Sequence, residues 1–280
     1  MKKVIAVALL LCLCFSVIGC RDIRSLFEQN KDTRVIMGDF ILYKSSKHSG
    51  FPIFSDAYYL HSYTGNDREV VLPQTAPDGL PIVAVDLWAF SECETVEKVT
   101  IPEGYTAIMP WAFQSCTNLK EIYIGKDVSD ISQYGIFGKC NVLSLIEVDA
   151  SNETYYSKEN CILTRQDNIL LAGCKASKIP EEATQIGSNA FYEIESLQSI
   201  EIPSNIQKIG EFAFFGCGGL DSIEIPDTVD LVEYSAFCNC ANLTIYCQFT
   251  EEPELWHQFW DGSNSERYPA PTVTWASEGN

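Results

Sequence analysis

The chain has 280 residues, 46% of them hydrophobic, so it can bury a continuous core and is too apolar for disorder. Its 19 basic residues face 38 acidic ones, a formal net charge of −19. A field of that sign repels phosphate backbones and anionic lipid headgroups, which excludes nucleic acid as an expected partner and leaves basic proteins, cations and neutral glycans open.

Residues 1–19 read as a signal peptide. Lys2 and Lys3 form a charged start, and Val4 to Phe15 is an apolar run too short to span a bilayer. It closes at Val17-Ile18-Gly19-Cys20, which resembles the lipobox of bacterial lipoproteins. That resemblance implies cleavage before Cys20 and diacylglycerol on its sulfur, anchoring the mature chain to a membrane without crossing it. The alternative is an ordinary secretory signal that ends in cysteine. Cleavage would remove two lysines and no acid, leaving 17 basic residues against 38 acidic ones. Residues 20–37 read as a polar tether, and residues 38–80 as a strand-rich N-terminal cap.

From residue 81 to 247 one phrase returns: Ala89-Phe90, Ala112-Phe113, Ile136-Phe137, Ala190-Phe191, Ala213-Phe214 and Ala236-Phe237, with steps of 23, 24, 54, 23 and 23 residues between the phenylalanines. A period in this range belongs to a solenoid whose units bury their apolar sides only by stacking. In Leu220-Asp221-Ser222-Ile223-Glu224-Ile225 the apolar residues end in strict alternation, a strand with one buried face, and Pro102, Pro180, Pro203 and Pro226 close or flank such strands. The Ala-Phe-x-x-Cys-x-x-Leu segment carries apolar residues three and four apart, which predicts a short helical turn on the opposite side.

Ile202 to Leu220, with Pro203, Ile206, Ile209, Gly210, Ala213, Phe214 and Cys217 between them, resembles the repeat of the BspA-type leucine-rich repeat proteins of bacteria. Ile136 stands for the repeat's alanine in the third copy and Ile194 for its cysteine in the fourth. The resemblance implies an α/β leucine-rich repeat solenoid, with short parallel strands on a concave face, short helical turns opposite and a strand-rich N-terminal cap. It also implies a surface protein that binds host matrix proteins or other bacteria. The long step holds a variant repeat at about residues 149–178, in which Cys161–Thr164 and Ile169–Ala172 read as a hairpin, either a rim protrusion or an enlarged repeat. Residues 248–280 read as a C-terminal cap, with Trp256, Phe259, Trp260 and Trp275 placed to cover the last core layer or to stack on a sugar.

Cys93, Cys116, Cys140, Cys217 and Cys240 occupy equivalent repeat positions. Stacked equivalents lie about 4.8 Å apart, beyond the roughly 3.5–4.5 Å a disulfide needs between Cβ atoms, so they read as small buried hydrophobes. Cys161 and Cys174 form the one pair considered for a bridge. His48, His61 and His257 lie outside the repeats, no nucleophile elbow, phosphate loop or zinc motif occurs, and no catalysis, cofactor or metal is expected. The binding candidates are the outward strand positions on the concave face: Lys98, Glu121, Leu145, Ser199 and Ser222 in one row, Thr100, Tyr123, Glu147, Glu201 and Glu224 in the next. Tyr123 and Leu145 are expected as exposed apolar groups beside an acidic stripe, a mixture suited to protein contact. The expected protein is a lipid-anchored, monomeric recognition module at the cell surface, touching the membrane only through its anchor and binding an extracellular protein, or alternatively capturing a glycan for uptake. A purely structural envelope component remains a third reading.

Overall fold

The computed structural model describes residues 34–44 and 56–276. The leader, Cys20 and the tether as far as residue 33 lie outside the described residues. Most coils of the solenoid carry a long strand, a short strand and a tight turn. The long strands Glu69–Val71, Lys98–Ile101, Glu121–Ile124 and Leu145–Val148 form one parallel sheet in register. The short strands Ile82–Val85, Ala107–Ile108 and Asp130–Ile131 continue a second sheet that begins at the N-terminal side with Arg34–Met37, Phe40–Lys44 and Tyr58–Tyr63. Arg34–Met37, placed with the tether by sequence, is thus the outermost strand of the cap, paired antiparallel with Phe40–Lys44. Glu69–Val71, placed with the cap, is already the first strand of the repeat ladder.

The expected helical turns are not there: among the described residues every regular element is a strand. The amides explain why. Phe90 N–H donates to Ala112 O at 2.8 Å, Phe113 N–H to Ile136 O at 3.1 Å, Phe191 N–H to Ala213 O at 2.8 Å and Phe214 N–H to Ala236 O at 2.8 Å. In an α-helix these donors would be used within their own turn; here they reach the next coil. Left-handed residues on either side of the phenylalanine make this geometry, such as Trp88 at φ 56° and Glu92 at 63°, Trp111 at 52° and Ser115 at 61°. Each costs on the order of 1 kcal/mol, and the ladder between coils offsets it. Apolar spacings of three and four suit a helix and this curled turn equally, so the spacing alone misleads.

Stacking runs through the core. Tyr63, Phe90, Phe113 and Phe137 form one column, with centroids 5.3, 5.2 and 6.1 Å apart. Phe191, Phe214 and Phe237 form a second, each step 5.2 Å and within 7° of parallel. The cysteines do more than fill space: Cys116, Cys140, Cys217 and Cys240 each direct Sγ at the phenylalanine carbonyl of a preceding coil, at 3.0 to 3.1 Å. A thiol satisfies that carbonyl weakly while staying apolar enough for the core.

The variant repeat separates the two columns as an enlarged coil and not as a rim protrusion. Tyr155–Lys158, Cys161–Thr164 and Ile169–Ala172 form an antiparallel meander whose last strand pairs parallel with Gln185–Ile186, followed by Lys208–Ile209 and Leu231–Val232. Ile162, Leu171 and Ala172 pack into the first core, and Cys161, Leu163 and Leu170 into the second. The meander is a wall buried on both faces, which is why its two inner strands read as unbroken apolar runs. Asn152 ties it to the coil before: its Nδ2 donates to Gly125 O and Val128 O, and its Oδ1 accepts from Thr154 and Tyr155 N–H. At the far end Trp256 and Trp260 are buried, Trp256 Nε1 donating to Val229 O at 3.1 Å, and Trp260 meets Phe237 edge-on at 5.9 Å.

Candidate ligand-binding face

Alternation along each long strand sends Val99, Ile101, Ile122, Ile124, Ile146 and Val148 into the core and the residues between them outward. Register then sets two outward rows across the first half of the solenoid. One runs Glu69, Lys98, Glu121, Leu145; the other runs Val71, Thr100, Tyr123, Glu147. Lys98 Nζ lies 3.5 Å from Glu121 Oε2 and 4.8 Å from the centre of the Tyr123 ring, so the ammonium joins a carboxylate and an aromatic face. Partial burial, with Glu121 adding to it, holds the Tyr123 phenol above its ordinary range. Tyr123 and Leu145 are half-buried, not exposed as their strand positions suggest; Lys98 lies over the Tyr123 ring. Glu147 is exposed. A groove of about 530 Å³ runs beside Tyr123 and Glu147, between Thr100 and Ser151.

In the second half the long strands are Ser222–Ile225, Thr244–Cys247 and Thr272–Trp275. Ser199 and Glu201, expected on a strand of this sheet, do not belong to one. Both are exposed, but Ser199–Ile202 makes no backbone hydrogen bond to the coil on either side. The phenylalanine stack and the short-strand ladder remain closed at this coil, so only the long-strand ladder is interrupted. Over the interruption lies a groove of about 850 Å³, lined by Ser199, Glu201, Ser222, Glu224 and Tyr246 among others. The rows therefore divide: Lys98, Thr100, Glu121, Tyr123, Leu145 and Glu147 share one sheet, Ser222 and Glu224 another, and Ser199 and Glu201 lie between them. Sequence reading missed Val71 and Tyr246, which are 66% and 49% exposed. Alternation flags both as outward; they lie at positions that extend the two sheets beyond the residues chosen.

Six copies of a family model, the BspA-type leucine-rich repeat region, match residues 72–165 and 171–251, more than half of the chain. The chain belongs to this family. No curated protein matches it. Among solved structures it is similar to a leucine-rich repeat protein from Bacteroides ovatus, at 20% identity and a TM-score of 0.50, covering 86% of this chain and 67% of that one. It is also similar to the leucine-rich repeat protein of T. pallidum, at 26% identity and a TM-score of 0.41, covering 68% and 73%. A third is described as a leucine-rich cell surface protein from Faecalibacterium prausnitzii, at 18% identity and a TM-score of 0.34, covering 88% and 95%.

The cysteines of this BspA-type chain are turned inward. All nine described cysteines are free and, apart from the half-buried Cys93, buried. Burial pushes the Cys93 thiol up to about 11 and those of Cys161, Cys240 and Cys247 up to about 12. Cys161 and Cys174 are not bridged: Cys161 Sγ faces Lys178 O at 3.4 Å, and Cys174 Sγ faces Asn160 O at 4.0 Å. His61 Nδ1 lies 2.9 Å from Asp86 Oδ2, while Asp86 Oδ1 caps Leu87 N–H, an arrangement that fixes the turn after Ile82–Val85.

Proposed function

We propose that this protein is a non-catalytic recognition module, lipid-anchored at the cell surface through Cys20, which binds an extracellular protein through its long-strand face. The observation that carries the reading is the pair of outward rows. Parallel strands in register hold charged, aromatic and apolar side chains at a fixed spacing across consecutive coils, a rigid mixed surface of the kind that supplies anchors within a polar surround. The lipid anchor rests on the Val17-Ile18-Gly19-Cys20 sequence, and attachment to matrix proteins or to other bacteria is what the family resemblance implies. Glycan capture is the weaker reading, since of its candidate sugar platforms Trp256 and Trp260 are buried in the cap and Phe259 and Trp275 are half-buried.

A panel of matrix proteins, run beside a glycan array, tests this. Capture of at least one protein by the wild type is expected, with loss of capture when Glu147, Glu201 and Glu224 are all changed to Lys. Capture unchanged by the triple substitution would remove the long-strand face from the function.

A further inference from the structure

The two halves of the long-strand face carry a tyrosine at the same strand position, covered by a cation in one and open in the other. In the first half Tyr123 lies on the third position of its strand. Lys98, on the first position of the preceding strand, crosses diagonally to place its ammonium 4.8 Å from the ring centre and 3.5 Å from Glu121. In the second half Tyr246 holds the corresponding third position, and the preceding strand carries Ser222 where Lys98 would stand, with Glu224 directly opposite Tyr246 in register. Ser222 is too short to cross. The Tyr246 ring is left 49% exposed, and among the described residues no cation lies over it.

The groove over this corner carries Glu181, Glu201 and Glu224 against the single cation Lys178. Glu224 accepts from Gln248 Nε2 at 2.7 Å, whereas among the described residues the Glu201 carboxylate has no hydrogen-bond or ion-pair partner. Ser199 and Glu201 line the groove, both are exposed, and the backbone of Ser199–Ile202 makes no hydrogen bond to a neighbouring coil, which leaves the exposed part of this segment open to a polypeptide lying across it.

We propose that the Tyr246–Glu224 corner takes a lysine or arginine side chain from an extended basic segment of the partner protein, which supplies the cation that Lys98 supplies within the first half. This rests on the recognition reading above and names its partner chemistry. A desolvated cation on an aromatic face beside a carboxylate is a favourable pair, and the acidic groove selects for it over a neutral or anionic segment.

The test uses a fluorescein-labelled octapeptide of alternating lysine and threonine, its glutamine–threonine counterpart, and fluorescence anisotropy on the full chain. Ser222→Lys reproduces the Lys98 arrangement and competes for the corner from within; Ser222→Met adds similar bulk without charge. Both changes fall on an exposed position and leave the core untouched. The lysine peptide is expected to bind wild type, to bind Ser222→Lys about tenfold more weakly, and to bind Ser222→Met within about twofold of wild type. No binding of the lysine peptide, equal binding of the glutamine peptide, or equal weakening by both substitutions overturns the proposal. A matrix protein captured alike by wild type and Ser222→Lys keeps the recognition reading and refutes the corner. Octapeptide binding without capture of any matrix protein keeps the corner and refutes the recognition reading.

Discussion

Replacing Phe214 by leucine tests whether ring stacking, and not apolar volume alone, joins the coils. Phe214 is fully buried, with its ring 5.2 Å from Phe191 at 2° and 5.2 Å from Phe237 at 7°. Leucine keeps most of the volume and loses both stacked contacts. Each contact is worth about 0.5–1.5 kcal/mol beyond area, and the change of shape adds about 1 kcal/mol, so Phe214→Leu should cost about 2–4 kcal/mol. Phe137 is the internal control: it is equally buried, but the ring contact recorded for it within its column is to Phe113, at 6.1 Å and tilted by 33°. Phe137→Leu should therefore cost about 1.5–2.5 kcal/mol. Urea unfolding followed by circular dichroism gives both values. Hydrogen exchange at the Phe191 and Phe214 amides, which bond to Ala213 and Ala236, shows whether the loss stays with neighbouring coils, as nearest-neighbour coupling requires. Equal costs for the two substitutions would refute the stacking argument and leave volume as the whole explanation.

Gly173 faces Phe191 so closely that a Cβ would lie 2.2 Å from the ring; Gly173→Ala should lower stability by about 2–3 kcal/mol, measured by urea unfolding, with the damage centred where the second column begins. Glu92 is exposed at φ 63° and Gly216 holds the equivalent turn position at φ 72°, so in thermal melts Glu92→Gly should be neutral to stabilising by about 1 kcal/mol and Gly216→Ala destabilising by about 1–2 kcal/mol. Burial raises the Glu193 carboxyl above the ordinary glutamate range, with Lys139 and Gln114 opposing. The folded state then holds that proton to higher pH than the unfolded chain, so its contribution to stability is present at low pH and is lost as pH rises from the ordinary glutamate value through the raised one. The stability of Glu193→Gln relative to wild type should therefore increase as pH rises above the ordinary glutamate range, and a constant difference would contradict this assignment. Thiol labelling of the native protein should reach Cys93 before the other eight described cysteines, which should react only on unfolding.

The repeat, the inward isoleucines and valines, the phenylalanine columns and the burial of the cysteines were legible in the chain because they follow from one-dimensional periodicity: a coil that cannot cover its own apolar side must place like residues over like. The turn geometry was not legible, since its left-handed positions are held by Gly135 and Gly216 in two coils but by Trp88, Glu92, Trp111 and Ser115 in others. Nothing local marks those four; the hydrogen bonds that compensate their strain go to residues about 22 positions ahead. Part of the candidate face was equally hidden. Alternation assigns Ser199 and Glu201 to a strand like any other, whereas the pairing of that strand is decided by the neighbouring coils. Tyr123 and Tyr246 likewise occupy the same position in their repeats. Only the diagonal neighbour from the preceding coil, Lys98 in one case and Ser222 in the other, decides which ring is covered and which faces solvent.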